Sequence, residues 1–152
     1  AVLCPRPAGD PAEANAEAAH ARAGEMAAFL TAASEALDRP GDQVWGFGYS
    51  AGASDVVALA LDHPDALAGA LLISGRLPFA FPGGKVLDGK KVFCGRGRAD
   101  EQVTIDDYEE LVESLVTAGA EVQLYWYDAG HDLTDAELDD AREWLRKRRG
   151  GS

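Results

Sequence analysis

The order of apolar runs along this chain restricts its fold more than any single residue does. The runs "AVLC" at 1–4, about Gln43 to Phe47, "GALLISG" at 69–75, "KVFCG" at 91–95 and "AEVQLYWY" at 120–127 are short and rich in strand-forming residues. Between them lie segments with helical spacing. Asp10-Pro11 supplies a cap and a first-turn proline for an Ala-rich helix to about Leu37, broken by Arg39-Pro40-Gly41-Asp42, with Gly24 a weak point inside it. "SDVVALALDHP" carries helical periodicity up to Pro64. Thr104 with Asp107 opens a helix to about Ala118, closed by Gly119. Thr134 with Glu137 opens a last one, with Leu138, Ala141, Trp144 and Leu145 on one face. The segment "RLPFAFPGGKVLDGK" reads as a loop. Alternation of this kind predicts an α/β fold with three layers: about five mainly parallel strands, helices on both faces, and no lid domain. The unbroken apolar character of "GALLISG" is that of a strand covered on both sides.

With 152 residues, 47% hydrophobic and 26% charged, the chain is expected to form a single domain over 1–149. Residues 150–152, Gly-Gly-Ser, read as a flexible tail or cloning scar. A formal charge of −12 repels polyanions, so neither nucleic acid nor an anionic membrane is an expected partner. The run "RKRR" at 146–149 falls where a last helix ends and where cations suit the helix dipole; an anion-binding tail is the other reading. Cys4 and Cys94 lack metal-ligand spacing and sit in apolar runs, as buried reduced thiols do. No apolar run reaches the roughly 20 residues of a membrane span and no signal-peptide pattern opens the chain, so a cytoplasmic location is expected.

Gly48-Tyr49-Ser50-Ala51-Gly52 fits G-x-S-x-G, with a predicted strand before it and a predicted helix after it. So sharp a strand-to-helix turn strains the middle residue and presents its hydroxyl at the carboxyl end of the sheet, and the two glycines are expected to remove side chains that would collide there. The Ala51 N–H, at a helix N-terminus, is placed to donate to an oxyanion. The alternative is a Gly-rich turn whose serine caps a helix. A serine hydroxyl needs a base, and the base an orienting acid. His20 falls inside the first helix and His63 at the end of the second, as a surface side chain and a C-terminal cap; His131 falls on a loop after the fifth predicted strand. Asp100 lies on the loop after "KVFCG", while Asp106 and Asp107, competing acids, sit in the first turn of a helix. Ser50, Asp100 and His131 follow separate strands in the order found in α/β-hydrolases.

From about Val44 to Leu145 the chain resembles the phospholipase/carboxylesterase branch of the α/β-hydrolases, with dienelactone-hydrolase-like proteins close by. The resemblance rests on "GFGYSAGA", "ALDHPDALAGALLISGRLP", "GRGRADEQVT" and "YWYDAGHDLTDAELDDAREWL". It implies hydrolysis of carboxylic esters through an acyl-enzyme, with Ser50 as nucleophile, His131 as general base and acid, Asp100 as its orienter, and no cofactor or metal. Against the family pattern the usual N-terminal strands and H-G-x-G-like loop are expected to be missing, with a fragment, a minimised enzyme and a naturally compact hydrolase all open, and the Arg6 region is the expected second part of the oxyanion hole. The chain also carries Arg96 where the family often has histidine and Thr104 where it often has proline.

Leu77, Phe79 and Phe81, with Tyr49 beside the serine, are candidates to line a substrate pocket; for the loop residues, covering the sheet is the equal alternative. An open apolar site favours small-molecule, short-chain esters. Lactones, thioesters and amides pass through similar intermediates, and a catalytically silent hydrolase-fold domain used for binding or assembly is the rival reading. An exposed sheet edge would allow a homodimer.

Overall fold

The computed structural model describes residues 15–38 and 43–149. Strands β1 (Trp45–Tyr49), β2 (Gly69–Ile73), β3 (Lys91–Gly97) and β4 (Glu121–Tyr127) form one sheet in the order β1-β2-β3-β4, and every neighbouring pair is parallel. Spatial order therefore follows chain order, and all four strands deliver the chain to the same rim. The fifth expected strand, "AVLC", lies outside the described residues, as do Asp10, Pro11, residues 39–42 and the tail at 150–152.

Helix α1 (Ala16–Leu37) starts later than the sequence suggests, because the Asn15 carboxamide accepts the Ala18 N–H at 2.8 Å and caps it. Ala19, Ala23, Met26 and Leu30 form its buried stripe, and the helix runs through Gly24 without interruption. Helix α2 (Ala51–Asp62) lies between α1 and the sheet, with all seven residues from Val56 to Asp62 except the last buried; α1 meets it through Ala19, Ala23 and Ala58. Arg22 bonds Asp55 at 2.9 Å across this contact. His63 is the C-cap residue of α2, as expected, and Pro64–Ala66 adds one 3-10 turn.

Helix α3 (Ile105–Thr117) has the expected reciprocal cap between Thr104 and Asp107 and buries Tyr108, Leu111 and Leu115 on the same face of the sheet as α2. Each such side chain removed from water contributes about 1.5–3 kcal/mol. Leu77, Phe79 and Phe81, from the loop between β2 and β3, pack on this same core. The opposite face is covered by α4 (Asp135–Arg149), whose Ala141 and Trp144 lie against Leu71, Ile73 and Phe93. The last helix also has its expected cap: Glu137 accepts from the Thr134 N–H at 2.8 Å and Thr134 accepts from the Glu137 N–H at 3.3 Å. Among the described residues, no helix is long and apolar enough to cross a membrane.

Candidate active site

The site begins where β1 ends. The Ser50 N–H donates to the Ile73 carbonyl at 2.9 Å, continuing the β1–β2 ladder one residue beyond the strand, and the chain then turns directly into α2. Ser50 pays for this turn with φ 54° and ψ −121°, a left-handed backbone that costs a non-glycine residue about 1–3 kcal/mol. Gly48 is what allows α2 to approach so closely, since a β-carbon there would stand 2.6 Å from the Ala53 nitrogen. The expectation that Gly52 does the same is corrected: a β-carbon on it meets nothing within 4 Å among the described residues.

With the elbow in this shape, the Ser50 side chain does not cap the helix. Its Oγ lies 2.9 Å from Nε2 of His131. The Ser50 carbonyl accepts the N–H groups of Ala53 and Ser54, while those of Ala51 and Gly52, at the start of the helix, have no acceptor within it. Arg6 lies outside the described residues.

His131 arrives on the loop between β4 and α4. Gly97, the last residue of β3, lets this loop pass against the strand, for a β-carbon there would stand 2.8 Å from the Ala129 carbonyl carbon. The Ala99 N–H donates to the Ala129 carbonyl at 3.0 Å and fixes the approach. The Tyr49 hydroxyl donates to the His131 carbonyl at 2.9 Å, with its ring 5.4 Å from the imidazole. The imidazole is thereby held between the end of β1 and the loop that follows β3.

Asp100 stands three residues past β3, its side chain fully buried, and its two oxygens lie 3.0 and 2.9 Å from His131 Nδ1. Oδ1 also accepts the N–H groups of Gln102 at 2.9 Å and Val103 at 3.0 Å. Burial pushes this carboxyl upward, but the Val103 N–H, the His131 ring and the Gln102 N–H outweigh it, and the net effect holds Asp100 below the ordinary carboxylate range. With Nδ1–H donating to Asp100, Nε2 is free to accept the Ser50 hydroxyl proton. The competing acids are placed elsewhere: Asp107 is occupied by the Thr104 cap, and Asp106 lies in the exposed first turn of α3.

The remaining expectations divide. Ser50, Asp100, His131, Tyr49 and Ala51 come together at the rim, whereas Phe79 stacks on His20 with ring centroids 4.0 Å apart, beside a 2.6 Å contact between His20 and Asp62. His20 is thus paired rather than a plain surface side chain. Cys94 is a free, fully buried thiol, pushed up to about 12 by burial; Cys4 lies outside the described residues. Arg76, not singled out from the sequence, ties the rim together. Its main chain exchanges bonds of 2.9 and 3.3 Å with the Ser54 hydroxyl, and its guanidinium donates to the Gln102 carbonyl.

No family model matches the chain. A protein of Bacillus subtilis (strain 168), MhqD, provisionally named a hydrolase, is 34% identical over 126 residues, covering 83% of this chain and 63% of MhqD. The crystal structure of the Bacillus cereus carboxylesterase aligns with a TM-score of 0.79 and 32% identity, covering 86% of this chain and 62% of that one. The Mesorhizobium loti carboxylesterase aligns with a TM-score of 0.78 and 30% identity, over 85% and 61%. The chain spans less than two thirds of the length of each of these proteins. Over more than four fifths of its length, at 30% identity or above, the chain shares the fold of these proteins, an α/β-hydrolase fold of phospholipase/carboxylesterase type.

Proposed function

We propose that the protein is a serine esterase that cleaves short-chain carboxylic esters through an acyl-enzyme, with Ser50, His131 and Asp100 as its triad. One observation carries the reading: a serine hydroxyl, an imidazole and a buried carboxylate lie in one unbroken line of contacts of 2.9 Å. In this reaction the Ser50 oxygen attacks the ester carbonyl while its proton passes to His131 Nε2. Asp100, accepting from Nδ1–H, stabilises the imidazolium and keeps the ring aligned. The tetrahedral oxyanion faces the N-terminus of α2, where the Ala51 N–H donates; removal of such a donor costs about 2.7–4 kcal/mol in the transition state. Collapse breaks the bond to the alcohol, which leaves with the proton held on Nε2. Water, deprotonated by His131, then attacks the Ser50 acyl group, releasing the carboxylic acid and restoring the hydroxyl.

The strained elbow supports the reading as well, since a serine used only as a helix cap needs no left-handed backbone. The loops that carry Asp100 and His131 run only from 98 to 104 and from 128 to 134, which favours small esters in solution; an acidic chain suits neutral or cationic substrates.

The test is hydrolysis of nitrophenyl acetate and butyrate by the parent and by Ser50→Ala, with fluorophosphonate labelling of both. Activity and labelling that vanish together in Ser50→Ala are expected. Equal hydrolysis by the two proteins ends the proposal, and a folded parent that neither turns over nor labels favours a silent binding domain.

A further inference from the structure

We propose that Arg96 is the positioning residue of the acid loop: its buried guanidinium gathers the carbonyls of residues 97, 100 and 103 and so holds the Asp100 carboxylate against His131. The inference deepens the esterase reading and rests on it for its kinetic consequence.

Arg96 lies on β3 in register with Trp126 and is 1% exposed. A guanidinium does not deprotonate in proteins, so this position carries a full positive charge inside the molecule. Among the described residues no carboxylate lies within ion-pair distance of it. It is satisfied instead by four bonds to main-chain oxygens. Nε donates to Val103 at 3.1 Å, Nη1 to Gly97 at 2.9 Å, and Nη2 to Asp100 at 2.9 Å and to Val103 at 2.7 Å. The Trp126 ring adds a contact at 5.6 Å.

These acceptors begin, centre and end the turn that presents the acid. With its carbonyls drawn toward the guanidinium, the same turn directs the Gln102 and Val103 N–H groups at Asp100 Oδ1. The carboxylate is then fixed from behind and meets His131 with both oxygens. A side chain needed only to fill this space would be apolar and would carry no desolvation cost. The planar fork, spread over three carbonyls of one loop, is suited to holding that loop's shape, and a lysine cannot reproduce it.

The experiment uses the full chain with Arg96→Met and Arg96→Lys, with folding of each followed by circular dichroism. The first readout is the low-field proton resonance of His131 Nδ1–H, assigned by its disappearance in His131→Gln and Asp100→Asn; it requires no catalysis. The second is kcat on nitrophenyl acetate per fluorophosphonate-titrated site, with KM. Folded Arg96→Met is expected to lose the resonance and about a hundredfold in kcat, with KM changed by about threefold or less, as befits misplacement of a group that does not touch substrate. Arg96→Lys, which keeps the charge but not the fork, is expected to lose the resonance too, and it carries the test alone if Arg96→Met does not fold. A folded variant that keeps the resonance and a per-site rate within about twofold of the parent overturns the proposal. If the parent shows the resonance but hydrolyses nothing, the esterase reading fails while the positioning claim is still judged on the resonance.

Discussion

Gly97 lies against the main chain of Ala129, so close that a β-carbon on it would stand 2.8 Å from the Ala129 carbonyl carbon. This approach joins the strand that leads to Asp100 with the loop that carries His131. Gly97→Ala is expected to force the two apart, costing about 1–3 kcal/mol of stability through overpacking and a larger share of activity than of folded protein. Urea unfolding alongside kcat per titrated site would check it; unchanged values in both would show that the loop can give way freely.

The two glycines of the elbow should behave differently. Gly48→Ala drives a β-carbon into the main chain of α2 and is expected to destabilise by about 3 kcal/mol or to prevent folding. Gly52→Ala, with open space at its β-carbon and a helical position, should leave the fold intact or gain up to about 1 kcal/mol. Denaturant midpoints of the pair decide the matter, and equal losses would contradict it.

Asp100 gives a signed pH dependence. Its carboxyl is held below its ordinary value in the folded state, so ionised Asp100 stabilises the fold above the unfolded value of about 3.9, and that contribution is lost as pH falls through the folded value. The stability gap between the parent and Asp100→Asn should therefore shrink as pH falls below about 4. Urea titrations through the acid range measure this gap directly; a gap that goes on widening below about pH 4 would reverse the assignment.

The Tyr49 hydroxyl donates to the His131 carbonyl. Tyr49→Phe is expected to cost about 0.5–1.5 kcal/mol and to lower kcat by freeing the base loop, with little effect on fluorophosphonate binding before reaction. Thermal melts and single-turnover labelling separate the two effects. A rate equal to the parent's would leave Tyr49 with a packing role only.

Cys94 should resist thiol reagents in the native protein, because it is fully buried and its thiol is pushed up to about 12. In a Cys4→Ser background, labelling by a maleimide should follow global unfolding as urea is raised. Rapid labelling of native protein would mean that the sheet centre opens locally.

The alternation of elements and the residues at the rim were legible because they leave side-chain signatures: an apolar run, a capping pair, a serine between glycines. Strand ends were less so. The sequence reading stops β1 near Phe47 because Gly48 looks like a turn, yet Gly48 pairs with Leu72 and Tyr49 with Ile73, and the glycine serves the approach of α2. The start of α1 moved from Asp10 to Asn15 because both residue types cap helices equally well. Arg96 was visible as a charge beside an apolar run, but its partners were not, since main-chain carbonyls belong to every residue and leave no mark in a sequence. The fate of Phe79 could not be read either, because it depends on His20, which reaches it through the tertiary fold.

Because spatial order in the sheet follows chain order, a ribosome releases the pieces of this site one at a time. A nascent chain that has emerged as far as β3 already owns the serine and its elbow, yet lacks His131. On the esterase reading proposed above, Ser50 stays without its base until the loop after β4 has been made, so a product stalled before that loop is expected to be inert toward esters.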